Sequence, residues 1–202
     1  MEKYELSFLS TTVLLVFCCC LLTGMIKNSS ATAAEEEKAG FTDQSTCFAV
    51  LLKNQEYVPA LTKAIDEAKS EIIMSFFLFK ISGHKNGSPD LILAHLAKAV
   101  KKGIKVTVIL ENSGGIDPQL DADNRQTKEF LQEKGVKAFL DSPRKTTHTK
   151  LIVIDQRLII LGSHNLTQSA LKYNNEISVL LDRPDLAKEA RNYMLAIIKD
   201  TK

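Results

Sequence analysis

The chain has 202 residues, 45% of them apolar and 25% charged, with a net charge of +2. That is the make-up of one soluble globular domain plus an extension, and so weak a charge neither demands nor excludes a polyanionic partner. Three of the four cysteines are consecutive, Cys18 to Cys20, and only Cys47 lies beyond them, which excludes a disulfide inside the folded part and any zinc-type cysteine spacing.

Residues 8–26 carry no charge, and Val13 to Leu22 is apolar throughout. At ~1.5 Å per helical residue the stretch is just long enough to cross a bilayer, and its shorter core also fits a secretory signal. Small residues at Ala31, Ala33 and Ala34 offer a peptidase site. Residues 1–34 are therefore read as a signal peptide or membrane anchor, which makes the protein exported or held at a membrane by residues 8–26. Residues 35–46 are read as an acidic polar tether. The folded part, residues 47–202, starts near Cys47.

Helical and strand patterns then alternate. The run beginning "YVPALTKAIDE" has apolar residues at helical spacing, with Pro59 tolerated in its first turn, and "IIMSFFLF" reads as a buried strand. "SPDLILAHLAKAVKKG" is a predicted helix capped by Ser88 or Asp90, with Lys101 and Lys102 in its last turn and Gly103 as its stop. "KVTVILE" is a strand, "NRQTKEFLQEKG" a helix and "VKAFLD" a strand. "KLIVID" and "RLIILG" give two strands joined through Gln156 and Arg157, "NEISVLLD" a last one, and "DLAKEARNYMLAIIKD" a closing amphipathic helix. This order implies a layered α/β/α domain with a mixed, largely parallel sheet.

Side chains alternate across a strand, so His148 and Lys150 share one face while Asp155 takes the other. Ser163 and Asn165 share a parity that His164 does not. A hairpin would bring His148, Lys150, Ser163 and Asn165 together: an imidazole, a fixed cation, a hydroxyl and an amide. Such a set can grip a tetrahedral anion, and Gly162 lets the backbone approach closely. By parity Asp155 reads as mostly structural, pinning the turn near Arg157, and His164 as a buried, hydrogen-bonded histidine.

The residues His148, Lys150, Asp155, Gly162, Ser163 and Asn165 fit H-x-K-x4-D-x6-G-S-x-N, and on them the chain resembles the phospholipase D superfamily. With one copy of the motif and an apolar N-terminus, it is most similar to the small exported bacterial endonucleases of that superfamily. The resemblance implies a nucleophilic His148 that forms a phosphohistidine, and a second histidine from another copy of the chain. A homodimer with the site on its two-fold axis follows. It also implies Lys150 and Asn165 on the phosphate oxygens, Ser163 as a further donor, Asp155 as a motif member, and Glu176 orienting the imidazole. No metal or cofactor is implied, so activity should survive chelators. The implied substrate is DNA or RNA, with membrane lipid phosphodiesters and mere phosphate binding as alternatives. His84 and Lys85, the "ENSGGID" loop, and Arg144 and Lys145 are candidate rim residues, each equally readable as solvated surface.

Overall fold

The structure, a computed structural model, describes residues 48–83 and 87–201. The signal or anchor, the tether, Cys47, His84 and Lys85 lie outside the described residues. No described helix is long and apolar enough to cross a membrane.

Among the described residues seven strands form one sheet: β1 (Phe48–Lys53), β2 (Glu71–Phe76), β3 (Lys105–Leu110), β4 (Lys137–Leu140), β5 (Lys150–Ile154), β6 (Leu158–Gly162) and β7 (Ile177–Asp182). Their order across the sheet is β1-β7-β6-β5-β2-β3-β4. Among the described residues five α-helices accompany them: α1 (Tyr57–Glu67), α2 (Ser88–Lys101), α3 (Pro118–Glu133), α4 (Gln168–Lys172) and α5 (Pro184–Lys199). Side chains of α1 to α4 join the larger apolar core on one face, with Leu61, Ile92, Leu131 and Leu171 all buried there. Among the described residues the other face carries α5 alone, whose Ala187 and Met194 pack on Ile73, Ile109, Val153 and Ile159. Arg191 of α5 reaches through to Glu71 at the start of β2, with Nη2 donating to Oε1 at 3.0 Å.

The layered α/β class is as expected, but the balance within the sheet is not. Only β2–β3 and β3–β4 pair in parallel, whereas the other four pairings are antiparallel. The helical crossovers α2 and α3 make the parallel part. The β5–β6 hairpin, and the return of β7 after the five-residue α4, make the antiparallel part. β1 and α4 were not expected at all. β1 is an edge strand with Phe48 and Leu51 each 59% exposed, so its apolar residues mark no face.

Two caps also differ. Gly87 is the N-cap of α2, not Ser88 or Asp90; the Asp90 carboxylate instead accepts from the Gly83 amide at 2.8 Å. α3 begins well before Asn124, because Asp117 accepts from the Leu120 amide and Pro118 opens the first turn.

Asp155 does not join the other motif residues. It lies past the far end of β5 from His148, roughly 20 Å away at ~3.3 Å per strand residue. With Gln156 it has positive φ (54° and 53°), the backbone of a type I′ turn closed by the Arg157 amide on Ile154 O at 3.0 Å. Its carboxylate does not pin Arg157, which pairs with Asp182 (Nε to Oδ1, 2.8 Å). It binds the amides of Lys69 (2.8 Å), Ser70 (2.7 Å) and Glu71 (3.0 Å) and the Ser70 hydroxyl. Asp155 is thus the clip between the α1–β2 connection and the hairpin. Partial burial alone would raise its pKa, but the donors from Glu71, Lys69 and Ser70 outweigh it and hold the carboxyl below its ordinary value. Its contribution is therefore present above pH about 3.8 and lost as pH falls through the lower folded value. Replacing Asp155 by Ala is expected to cost about 2 kcal/mol in urea unfolding at neutral pH, with the deficit shrinking toward pH 2.

Candidate active site

The β5–β6 hairpin pairs Leu151 with Leu161, which sets Lys150 beside Gly162 at the open end of both strands. Gly162 is demanded by β7. A Cβ there would stand 2.2 Å from Ser178 Oγ and 2.4 Å from Ile177 O, closer than any side chain permits. The Ser163 amide continues the contact by donating to Ile177 O at 2.9 Å.

His148 is exposed, one residue before Thr149. Thr149 is tied down twice: its carbonyl accepts from the Phe77 amide at 2.9 Å, and its hydroxyl lies 2.6 Å from that of buried Ser75. The imidazole stands edge-on to Phe77, with centroids 4.6 Å apart, and Lys150 Nζ lies 5.0 Å from the same ring centroid. Lys150 Nζ also approaches His148 Nε2 at 3.3 Å and donates to His148 O at 3.1 Å. An ammonium is only a donor, so this contact keeps the lone pair on Nε2 and the ring proton on Nδ1. Burial lowers the Lys150 pKa below the usual lysine range, and the nearby Glu176 charge partly offsets that. Phe77 was not singled out from sequence, where it is one of several apolar residues in "SFFLF". Only its position just past the end of β2 distinguishes it.

The chain beyond β2 is held by α3. Asn124 Nδ2 donates to Phe77 O (2.9 Å) and Glu111 O (3.0 Å), and Thr127 Oγ1 donates to Phe79 O (2.5 Å) and accepts from the Ile81 amide (3.1 Å). These two buried polar residues fix the segment on which the imidazole rests.

Ser163 and Glu176 are brought together. The Ser163 hydroxyl donates to the Glu176 carboxylate and accepts from the Ile177 amide at 3.1 Å, and Asn174 Nδ2 donates to Glu176 Oε1 at 3.1 Å. The proton of Ser163 is therefore spent on Glu176 rather than free for an anion. Glu176, in turn, meets Ser163 and Asn174 rather than His148 of its own chain. Its backbone is held by Asn54, whose amide donates to Glu176 O (2.9 Å) and whose side chain accepts from the Glu176 amide (2.8 Å). Asn165 is half-buried, and its Oδ1 has no hydrogen-bond partner. It precedes Leu166, whose amide bonds Leu78 O at 3.0 Å, so this strand of chain runs beside the segment bearing Phe77.

His164 is the buried histidine that its parity predicted. Nδ1 lies 2.8 Å from Ser178 Oγ and Nε2 lies 3.1 Å from Asn54 O, with the ring stacked on Tyr57 at 4.3 Å. Burial holds its pKa below the ordinary imidazole value, against weaker upward pulls from the Asn54 carbonyl and Glu176. Among the described residues, no group of three or more His, Cys, Asp or Glu side chains is arranged to hold a metal ion.

A cleft of about 630 Å³ opens between the hairpin and α5, with His148 and Lys150 beside apolar Leu161, Leu186 and Tyr193. The candidate rim segments flank the site differently. Loop 112–117 is pinned by Asp121, which accepts from the amides of Ser113 (2.7 Å) and Gly115 (2.8 Å). Arg144 and Lys145 are exposed and line a separate cleft of about 310 Å³.

Known proteins share both the sequence pattern and the fold. The family described as cardiolipin synthase, PLD-like domain, matches residues 61–198. The phospholipase D of Rickettsia prowazekii is 28% identical over 145 residues, covering 71% of this chain. The chain spans only 62% of that relative's length. Cardiolipin synthase A of Buchnera aphidicola is 31% identical over 137 residues, covering 68% of this chain but 26% of that protein. Among solved structures, the phospholipase D family member Nuc from Salmonella typhimurium superposes with a TM-score of 0.64 at 22% identity, covering 77% of this chain and 97% of Nuc. NucT from Helicobacter pylori gives 0.62 at 18% identity, covering 76% and 97%. With one family model spanning more than half of the sequence, and His148, Lys150, Gly162 and Ser163 held at one end of one hairpin, the chain belongs to the phospholipase D superfamily.

Proposed function

We propose that the chain is a phosphodiester hydrolase that cuts nucleic acid strands through a phosphohistidine on His148, as a homodimer and without a metal. The observation that carries this reading is the exposed imidazole whose Nε2 lone pair faces Lys150 at 3.3 Å. An incoming phosphate draws the ammonium onto its oxygens and frees Nε2 to attack phosphorus. Asn165 supplies amide donors to the same oxygens. Ser163 and Glu176 act together beneath them, Glu176 as the negative charge that stabilises the imidazolium.

The leaving oxygen needs a proton, and a water must later lose one, so a second imidazole is required. His164 is buried against Ser178 and Asn54, and His95 lies on α2 beside Asp66. Among the described residues neither of these can serve, which supports His148 of a second copy as the acid. That ring protonates the leaving oxygen as the P–O bond breaks. It then takes a proton from water, whose hydroxide oxygen attacks phosphorus and releases His148. Exposed Leu161 (41%), Leu186 (38%) and Tyr193 (51%) around the cleft suit coverage by that copy.

The names of the solved neighbours Nuc and NucT favour nucleic acid. A second reading, a lipid phosphodiesterase, is favoured by the apolar cleft beside His148 and by relatives named phospholipase D and cardiolipin synthase. On either reading residues 47–202 are the catalytic domain, and the uncharged run 8–26 supports export or membrane anchoring.

The full chain, incubated in EDTA with plasmid, single-stranded RNA or anionic lipid vesicles, is expected to cut nucleic acid and leave the lipid intact. Lipid cleavage without nucleic acid cleavage would overturn the choice of substrate. Turnover that vanishes in EDTA and returns with a divalent cation would overturn the metal-free mechanism.

His148→Ala is expected to abolish turnover while leaving thermal stability within about 1 kcal/mol of wild type, as for an exposed surface change. Mixed in equal amounts and allowed to exchange, wild type and this variant would lose about half the activity per wild-type chain, because only about a quarter of dimers keep two imidazoles. Activity strictly proportional to wild-type chain would rule out a shared site.

A further inference from the structure

Behind the site, two buried carboxyls meet at the ends of adjacent parallel strands. Glu111 follows β3 and is 2% exposed; Asp141 follows β4 and is 4% exposed. The Asp141 amide donates to Leu110 O at 2.9 Å, which fixes one strand end against the other. One oxygen of Glu111 accepts from the Thr147 amide at 2.5 Å. Asp141 Oδ1 accepts from the Asn112 amide at 2.7 Å, whereas its Oδ2 is buried with no donor from the protein. Two carboxylates so placed repel each other when both are charged, and a proton on Glu111 relieves that repulsion and supplies the donor that Oδ2 lacks. Other groups face this pair. Asp121 of α3 spends its oxygens on Ser113 and Gly115 and has Arg125 beside it, so it stays ionised. Arg144, Lys145 and Asp200 line the cleft outside.

Thr147 is the residue immediately before His148. Of the loop between β4 and β5, Thr147 is 7% exposed, whereas residues 143–146 are exposed. The carboxyl pair is thus the anchor through which the strand ends reach the imidazole.

We propose that Glu111 and Asp141 share one proton and, through the Thr147 amide, act as positioning residues that set His148 against Phe77 for the reaction. This rests on the phosphodiester reading of His148. The buried site pushes the Glu111 pKa up from about 4.5 to about 7; burial comes first and the Asp141 and Asp121 charges add to it, against the pull of the Thr147 amide. A raised folded value means that the positioned state is complete at low pH and is lost as pH rises through about 7. Above it, two like charges face each other, Oδ2 loses its donor, and loop 142–149 loosens from the strand ends. Turnover then falls on the alkaline side through kcat, with KM little changed.

Glu111→Gln mimics the protonated carboxyl permanently, its carbonyl accepting from Thr147 and its amide donating to Asp141. The test is a pair of pH series on the full chain and this variant: kcat and KM on a phosphodiester substrate, and the NMR shifts of the His148 ring protons, which the Phe77 ring current displaces. In wild type, kcat is expected to drop about tenfold between pH 6.5 and 8.5, and the ring shifts to drift with a midpoint near 7 beyond the histidine's own titration. The glutamine variant keeps its activity at high pH and shows only the histidine's own titration. Identical ring shifts and pH profiles in the two proteins would overturn the proposal. The ring shifts are read without substrate. If wild type turns over no phosphodiester, the function reading fails, and the shifts still decide whether the pair positions His148.

Discussion

The pairing of Leu151 with Leu161 is the constraint on which the site depends. A slip of one residue would turn every side chain of one strand to the other face. The core pattern forbids that slip: Ile152 and Ile160 belong to the larger core, whereas Val153 and Ile159 belong to the core under α5. Burial on two faces thus fixes where Lys150 and Gly162 stand, and Gly162 lets β7 close in with Glu176 at its mouth. The hairpin turn is fixed from the other end by Asp155. One motif residue secures the register while the others, about a strand's length away, use it.

Much of this was legible in the sequence. The alternation of "KLIVID" put His148 and Lys150 on one face and Asp155 on the other, and the parity of His164 announced a buried ring. Residues with two functions were harder. Ser163 has the right spacing for an anion donor, yet one hydroxyl has one proton, and Glu176 takes it. Nothing in a linear pattern says which acceptor wins. Phe77, Asn124 and Thr127 were invisible for a related reason. Their value lies in contacts between a strand extension and a helix 45 or more residues apart in sequence, and each residue type is ordinary in its element.

The sheet shows the same limit at larger scale. Strand and helix patterns alternate along the chain, which suggests parallel pairing, but direction is decided by where a connection lands. Residues 163–176 could have crossed over; instead His164 anchors on Ser178, α4 is too short to span the sheet, and β7 returns antiparallel beside β6. The edge strand β1 left no periodic trace because half-exposed apolar residues carry none.

Asn54 ties the beginning of the folded chain to the candidate site. It sits just past β1 with a left-handed backbone (φ 50°), and it grips Glu176 through both its amide and its side chain while its carbonyl meets His164. The match to the family starts only at residue 61. A chain trimmed to that boundary would retain every motif position and forfeit the clasp on Glu176, so the fold that holds the candidate site reaches beyond its recognisable signature.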